Sequence, residues 1–212
     1  MVAADRTPLH LVDEDSAKRR QILAGASKVF MDLGFDGASM GEIARAAGVS
    51  KGTLYVYFAD KNRLFEAIVE QEMLDQKKVN FNFDPERDVA TTLREFGRAY
   101  IQLLCRPGGG SAIRTVMSIA ERMPDVGRRY YEHVLENTIN RLASYLEARA
   151  KRNDVAIPEC QLAASQFMNM CQASLFLPFI FQAAPPPSPE RIAQVVESAT
   201  RMFLAGYGRK AG

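Results

Sequence analysis

The stretch "GASMGEIARAAGVSKGTLYVYFADK", residues 37–61, constrains the fold most tightly. Ser39 and Glu42 have the spacing of a capping box, in which the serine oxygen takes a first-turn amide and the carboxylate reaches back. The helix that follows turns Met40, Ile43, Ala44 and Ala47 inward and stops at Gly48, where the chain needs a positive backbone angle. Val49 plugs the turn, Ser50 caps a second short helix and Asp60 caps the helix after it. Small residues at 44, 46 and 47 let the two short helices approach closely, as a helix-turn-helix requires. An ordinary αα corner would satisfy the same spacing, so the surface of the second helix has to decide.

At about 100° per residue, Leu54 and Phe58 share one side of that helix, and Val56 lies opposite with Gly52 and Thr53 beside it. Tyr55 and Tyr57 flank the apolar stripe, rings at its edge and hydroxyls at the rim. An outward valine between two rim tyrosines suits a DNA major groove, where an apolar side chain meets a thymine methyl and hydroxyls reach phosphates. The charge coincides with this: residues 16–63 carry eight bases against four acids, although the whole chain is only +2.

The remaining periodicities are helical, and the chain reads as all-α with about nine helices. Ile22, Ala26, Val29, Phe30 and Leu33 form one stripe that Gly34 is placed to close in a left-handed cap, and residues 1–15 read as a flexible tail. Downstream, Val89, Leu93, Phe96, Tyr100 and Leu104 share a face. "RPGGGS" lacks the GK[ST] ending and preceding strand of a phosphate loop and reads as a connector. Tyr131, Leu135, Thr138, Leu142 and Leu146 line a long helix after Pro124. The segment from Pro158 to Gln182 is apolar nearly all round, and Pro178 is expected to kink or end it.

The last helix puts Ile192, Val195, Val196, Ala199 and Phe203 on one stripe. Paired with the preceding helix, including Phe176 and Phe179, it would give a four-helix interface and a two-fold homodimer. A small-molecule pocket, largely apolar, is expected among Phe96, Tyr100, Met117, Met123 and Tyr131, with Phe167, Met168, Cys171 and Gln172 on the following helix. Tyr100, Tyr131 and Gln172 are its candidate polar anchors.

Other chemistries find little support. Cys105, Cys160 and Cys171 form no CxxC pair and lie in apolar patterns, and His10 and His133 have no partner at helical spacing, so no metal and no cofactor are expected. No Glu-x-x-His pair or buried carboxylate cluster suggests an enzyme. No apolar run approaches the roughly 18 residues of a membrane span, residues 1–15 do not resemble a signal peptide, and a cytoplasmic protein is expected.

Residues 16–65, most closely "AAGVSKGTLYVYFADKNRLF" with "GASMGEIA" before it, resemble the DNA-binding region of TetR-family transcriptional regulators. "RTVMSIAERMPDVGRRYYE" is similar to the C-terminal domain of the AefR-like branch. The resemblance implies a helix-turn-helix domain over 16–60 and a ligand-binding and dimerisation domain over 61–212. It also implies a homodimeric repressor of a palindromic DNA operator, released by a small apolar or amphipathic effector. An activator, or a regulator governed by a protein partner, would share the same head. Carried over by position, Thr53 and Tyr57 would touch phosphates, Lys51 and Tyr55 would face the groove, Lys61 would reach the phosphate backbone, and Ser39 would offer a hydroxyl and an amide to an anion. Val56 stands where many members have a second aromatic, and Tyr57 where many have histidine.

Overall fold

The computed structural model describes residues 9–77, 81–84, 86–106 and 109–209. Among these the secondary structure is helical: α1 (Leu9–Gly37), α2 (Met40–Ala47), α3 (Lys51–Tyr57), α4 (Lys61–Lys77), α5 (Val89–Leu104), α6 (Gly109–Ile119), α7 (Pro124–Tyr130), a π-helical turn (Tyr131–Glu136), α8 (Asn137–Lys151), α9 (Cys160–Ile180) and α10 (Pro189–Tyr207). Because α7, the π-helical turn and α8 follow without a break, the described residues form nine helical rods.

Helix α1 begins at Leu9, so residues 9–15, expected as tail, are helical. The run from Glu14 to Arg20 is rich in good helix formers, which carry the backbone ladder outward from the apolar stripe. Gly34 has the expected positive φ of 70°, but its ψ of 174° is not that of a left-handed cap; the chain breaks there and resumes one further turn to Gly37. Gly48 is the left-handed cap expected, at φ 64° and ψ 36°, with its amide on the carbonyls of Ala44 and Arg45. Pro107 and Gly108 within the glycine-rich connector lie outside the described residues, and its later glycines, Gly109 and Gly110, start α6.

Two buried clusters organise the molecule. The first joins α1–α4 around Phe30, Phe35 and Phe65, whose ring centroids lie 5.5–5.6 Å apart. It continues into Val116 and Ile119 of α6, Val126 and Tyr130 of α7, and Val134 of the π-helical turn. The second packs α5, α8, α9 and α10 around Leu93, Phe96, Phe167, Leu146 and Phe203. Gly97 sets the spacing there, because a Cβ on it would stand 2.8 Å from Val196 and 3.0 Å from Cys171. Arg94 joins α5 to α10 through both oxygens of Glu197, at 2.6 and 3.2 Å.

Two helices depart from regularity. The π-helical turn inserts an extra residue per turn, so Tyr131 rotates out to the surface while Val134 takes the buried position and Leu142 and Leu146 keep theirs. Helix α9 breaks at Ala173 (φ 12°, ψ −107°), five residues before Pro178, and ends at Ile180. That is the turn into which a proline ring is forced, since it clashes with the carbonyl four residues back.

Buried Tyr145 on α8 ties the start of α5 into the second cluster, its hydroxyl 3.1 Å from Thr92 Oγ1 and 3.2 Å from the Arg87 carbonyl. Thr92 in turn donates to the Asp88 carbonyl. Tyr145→Phe is therefore expected to cost about 1 kcal/mol in denaturant unfolding, the worth of one buried neutral hydrogen bond. An unchanged unfolding midpoint would mean the hydroxyl contributes nothing to this joint.

Candidate DNA interface and ligand cavity

The α2–α3 pair is built by its caps. Ser39 Oγ accepts the Glu42 amide at 3.2 Å, while Glu42 Oε2 accepts both the Ser39 amide (3.0 Å) and the Ser39 hydroxyl (2.7 Å). Those bonds hold the Glu42 carboxyl below its usual range. Ser50 Oγ accepts the Thr53 amide at 3.0 Å and lies 2.8 Å from the Thr53 hydroxyl. Gln21 on α1 donates to the Ala47 carbonyl at 2.6 Å, holding the end of α2 against α1.

The resulting α3 presents the expected surface. Leu54 and Phe58 are buried, whereas Val56 is 83% and Tyr55 53% exposed, with Lys51 and Gly52 exposed beside them and Thr53 and Tyr57 half-buried. A valine this exposed has no packing reason in a monomer, and it stands where the wheel put the groove face.

Two of the groups expected at phosphates are engaged within the protomer. Ser39 was expected to offer a hydroxyl and an amide to an anion, but both are committed to Glu42, whose carboxylate also places negative charge at that helix start. Lys61 was expected to reach DNA. Its ammonium instead donates to the carbonyls of Phe35 (2.7 Å), Asp36 (3.3 Å) and Ala38 (3.2 Å), which saturates its three N–H groups, and it sits 4.7 Å from the centre of the Phe35 ring. The carbonyls left open where α1 ends at Gly37 explain this: they need donors, and the start of α4 brings a lysine to them.

A cavity of about 460 Å³ opens between α5, α6, α7, the π-helical turn and α9. Tyr100, Met117, Tyr131 and Gln172, all expected, line it. Phe176, expected at a dimer interface, lines it as well. Phe96, Phe167 and Cys171 do not: all three are buried in the second cluster, Cys171 against Gly97. Burial pushes the Cys171 thiol up to about 12 and that of Cys105 to about 11, so both are inert protonated side chains at neutral pH. Met123 stands at the N-cap position of α7 without a side-chain cap bond and packs on the head cluster, and Met168 borders, with Tyr100, a small void of about 10 Å³.

The sequence reading missed Ile113, Val116, Tyr130 and Asn169 among the lining residues. Periodicity could have found Ile113 and Val116, which fall on the face of α6 that carries Met117. Tyr130 and Asn169 depend on the π-helical turn and on the path of α9, which periodicity does not encode.

The expected interface stripe is also corrected. Ile192, Val196, Ala199 and Phe203 are buried within the chain's own second cluster, and Val195 and Phe179 are half-buried against it. A stripe of that regularity on a last helix satisfies the protomer's core first. The large apolar side chains left exposed on and beside α9 and α10 are Leu162, Leu177, Phe181 and Met202.

Comparison with known proteins agrees with this architecture. Residues 22–68 match the family model for bacterial regulatory proteins of the tetR family, and residues 91–209 match the C-terminal domain of AefR-like transcriptional repressors. The chain belongs to the TetR family. TetR-family proteins are DNA-binding transcriptional regulators, not enzymes. The HTH-type transcriptional repressor Rv1474c of Mycobacterium tuberculosis is 31% identical over 153 residues, covering 68% of this chain and 75% of that protein. A solved structure from Mesorhizobium loti assigned to the TetR family superposes with a TM-score of 0.77 at 29% identity, covering 92% of this chain and 98% of that one. The flavonoid-responsive regulator FrrA gives a TM-score of 0.73 at 28% identity, covering 92% of this chain and 100% of that one. Among the described residues no helix is long and apolar enough to cross a membrane, and no group of His, Cys, Asp and Glu is arranged to hold a metal.

Proposed function

We propose that this TetR-family regulator is a homodimeric repressor that binds a palindromic operator in the cytoplasm and leaves it when a small, uncharged apolar or amphipathic effector fills the α5–α9 cavity. The observation that carries the proposal is shared residues: Val116 and Tyr130 line the cavity and belong to the same buried cluster as α1–α4. A ligand that alters the cavity wall therefore acts on side chains packed directly against the head. Asp36, at the end of α1, also pairs with Arg122, between α6 and α7. Release requires the effector to favour a head spacing that misfits the operator, since equal affinity for both states would shift nothing. The flavonoid response of FrrA supports an effector of this size and polarity.

Dimerisation is assigned to the outer faces of α9 and α10 around Leu162, Leu177 and Met202 and to Phe181 just past α9, whose exposure is costly in a lone protomer. A two-fold pair of α3 helices would read half-sites about 34 Å apart or a multiple of that.

The test is selection of bound duplexes from a random library at two salt concentrations, followed by titration of the selected duplex with candidate effectors. A palindrome that survives higher salt and is released by effector is expected. Sequence-blind, salt-sensitive binding alone would remove the reading. On the selected operator, Tyr55→Ala is expected to lose about 1 to 2 kcal/mol of discrimination at one or two base pairs per half-site, read on single-base-pair variants. A uniform loss across all variants would move Tyr55 from the groove to the backbone.

A further inference from the structure

We infer that the half-buried Tyr100–Gln172 pair is the recognition element of the cavity and selects neutral aromatic molecules bearing a hydroxyl or carbonyl group. The inference rests on the reading of the cavity as an effector site and names the class of effector. Three observations carry it.

No charged side chain lines the cavity among the described residues. An ionised ligand would leave water without a counter-charge, whereas a neutral one loses little. Four of the lining residues are aromatic, Tyr100, Tyr130, Tyr131 and Phe176, and Met117 stands among them, so the walls offer ring faces, ring edges and a polarisable thioether to a planar guest.

The third observation fixes the polar end. Tyr100 is 5% exposed, and Gln172 Nε2 lies 2.6 Å from its hydroxyl oxygen. The pair satisfies one donor and one acceptor between its members. A phenol and a primary amide together hold more than that, so whichever way the amide is turned the pair keeps a donor and an acceptor for a guest. Burial raises the Tyr100 phenol above its usual value, so it remains a protonated donor at neutral pH. A guest hydroxyl or carbonyl placed there completes the pair; a plain hydrocarbon leaves it incomplete, and a carboxylate adds an uncompensated charge.

The test uses the full-length protein and three matched probes, 2-naphthol, 2-fluoronaphthalene and 2-naphthoate, with binding read by titration calorimetry. Naphthol is expected to bind at least tenfold more tightly than either of the others. Tyr100→Phe and Gln172→Leu should each bring naphthol down to the level of the fluoro analogue while leaving the fluoro analogue unchanged, which a loss of folding could not do. Equal binding of the three, preference for naphthoate, no binding by any of them, or a naphthol preference that survives both substitutions would each overturn the inference. Release of the selected operator is measured separately. Naphthol that binds with preference but releases nothing sinks the effector reading alone, and release without preference sinks only this inference.

Discussion

Gly25→Val is expected to abolish operator binding, with affinity falling at least a hundredfold. Gly25 lies on the face of α1 that meets α2, and a Cβ there would stand 2.6 Å from the Cα and N of Ala47. Those are backbone atoms, so no rotamer change relieves the clash and α2 has to move off α1. Gln21 holds the same Ala47 through its carbonyl, and Gly48 begins the turn into α3 immediately afterwards, so the displacement passes straight to α3. Overpacking of this kind costs about 1 to 3 kcal/mol even where side chains can adjust. The comparison variant is Ala24→Val, at the exposed neighbouring position, which carries the same β-branched penalty within a helix and no clash. Gel-shift titration of both variants on the selected operator decides it. Wild-type affinity for Gly25→Val would mean that the α1–α2 approach does not position α3.

How much of this was legible in the sequence depended on how local each cause was. The caps at Ser39, Ser50 and Gly48 and the outward Val56 follow from interactions spanning four residues or fewer, and the sequence reading placed them correctly. The contacts of Lys61 did not, because they depend on where the end of α1 leaves three carbonyls, 23 to 26 residues away. The apolar stripe of α10 was visible, but periodicity reports that a face is covered and not what covers it; Val196 meets Gly97 of the same chain. The cavity was half legible for a related reason. Tyr100, Tyr131 and Gln172 lie on strong helical patterns, whereas Tyr130 leads into the π-helical turn, which has no composition signal.

Lys61→Met separates the two roles open to that residue, and the expected result is a loss of stability with an unchanged salt dependence of DNA binding. Three charge-assisted bonds to backbone carbonyls and the contact with the Phe35 ring disappear together, and the freed carbonyls depend on water for replacement. Bonds to a charged group contribute about 1.5 to 3 kcal/mol each when well shielded. Discounted for partial exposure, the set is worth about 3 kcal/mol. Methionine keeps most of the aliphatic stem, so the loss is assigned to the ammonium. The α1–α2 turn should loosen and operator affinity should fall with it, but the number of counterions released on binding should stay the same. A lysine that touched a phosphate would behave otherwise, its removal reducing the slope of log K against log salt by about 0.9. Unfolding by denaturant and operator titration at four salt concentrations give both readouts on one preparation. A full-strength fold with a shallower slope would return Lys61 to the DNA backbone and make its three carbonyl bonds the resting arrangement of the unbound head.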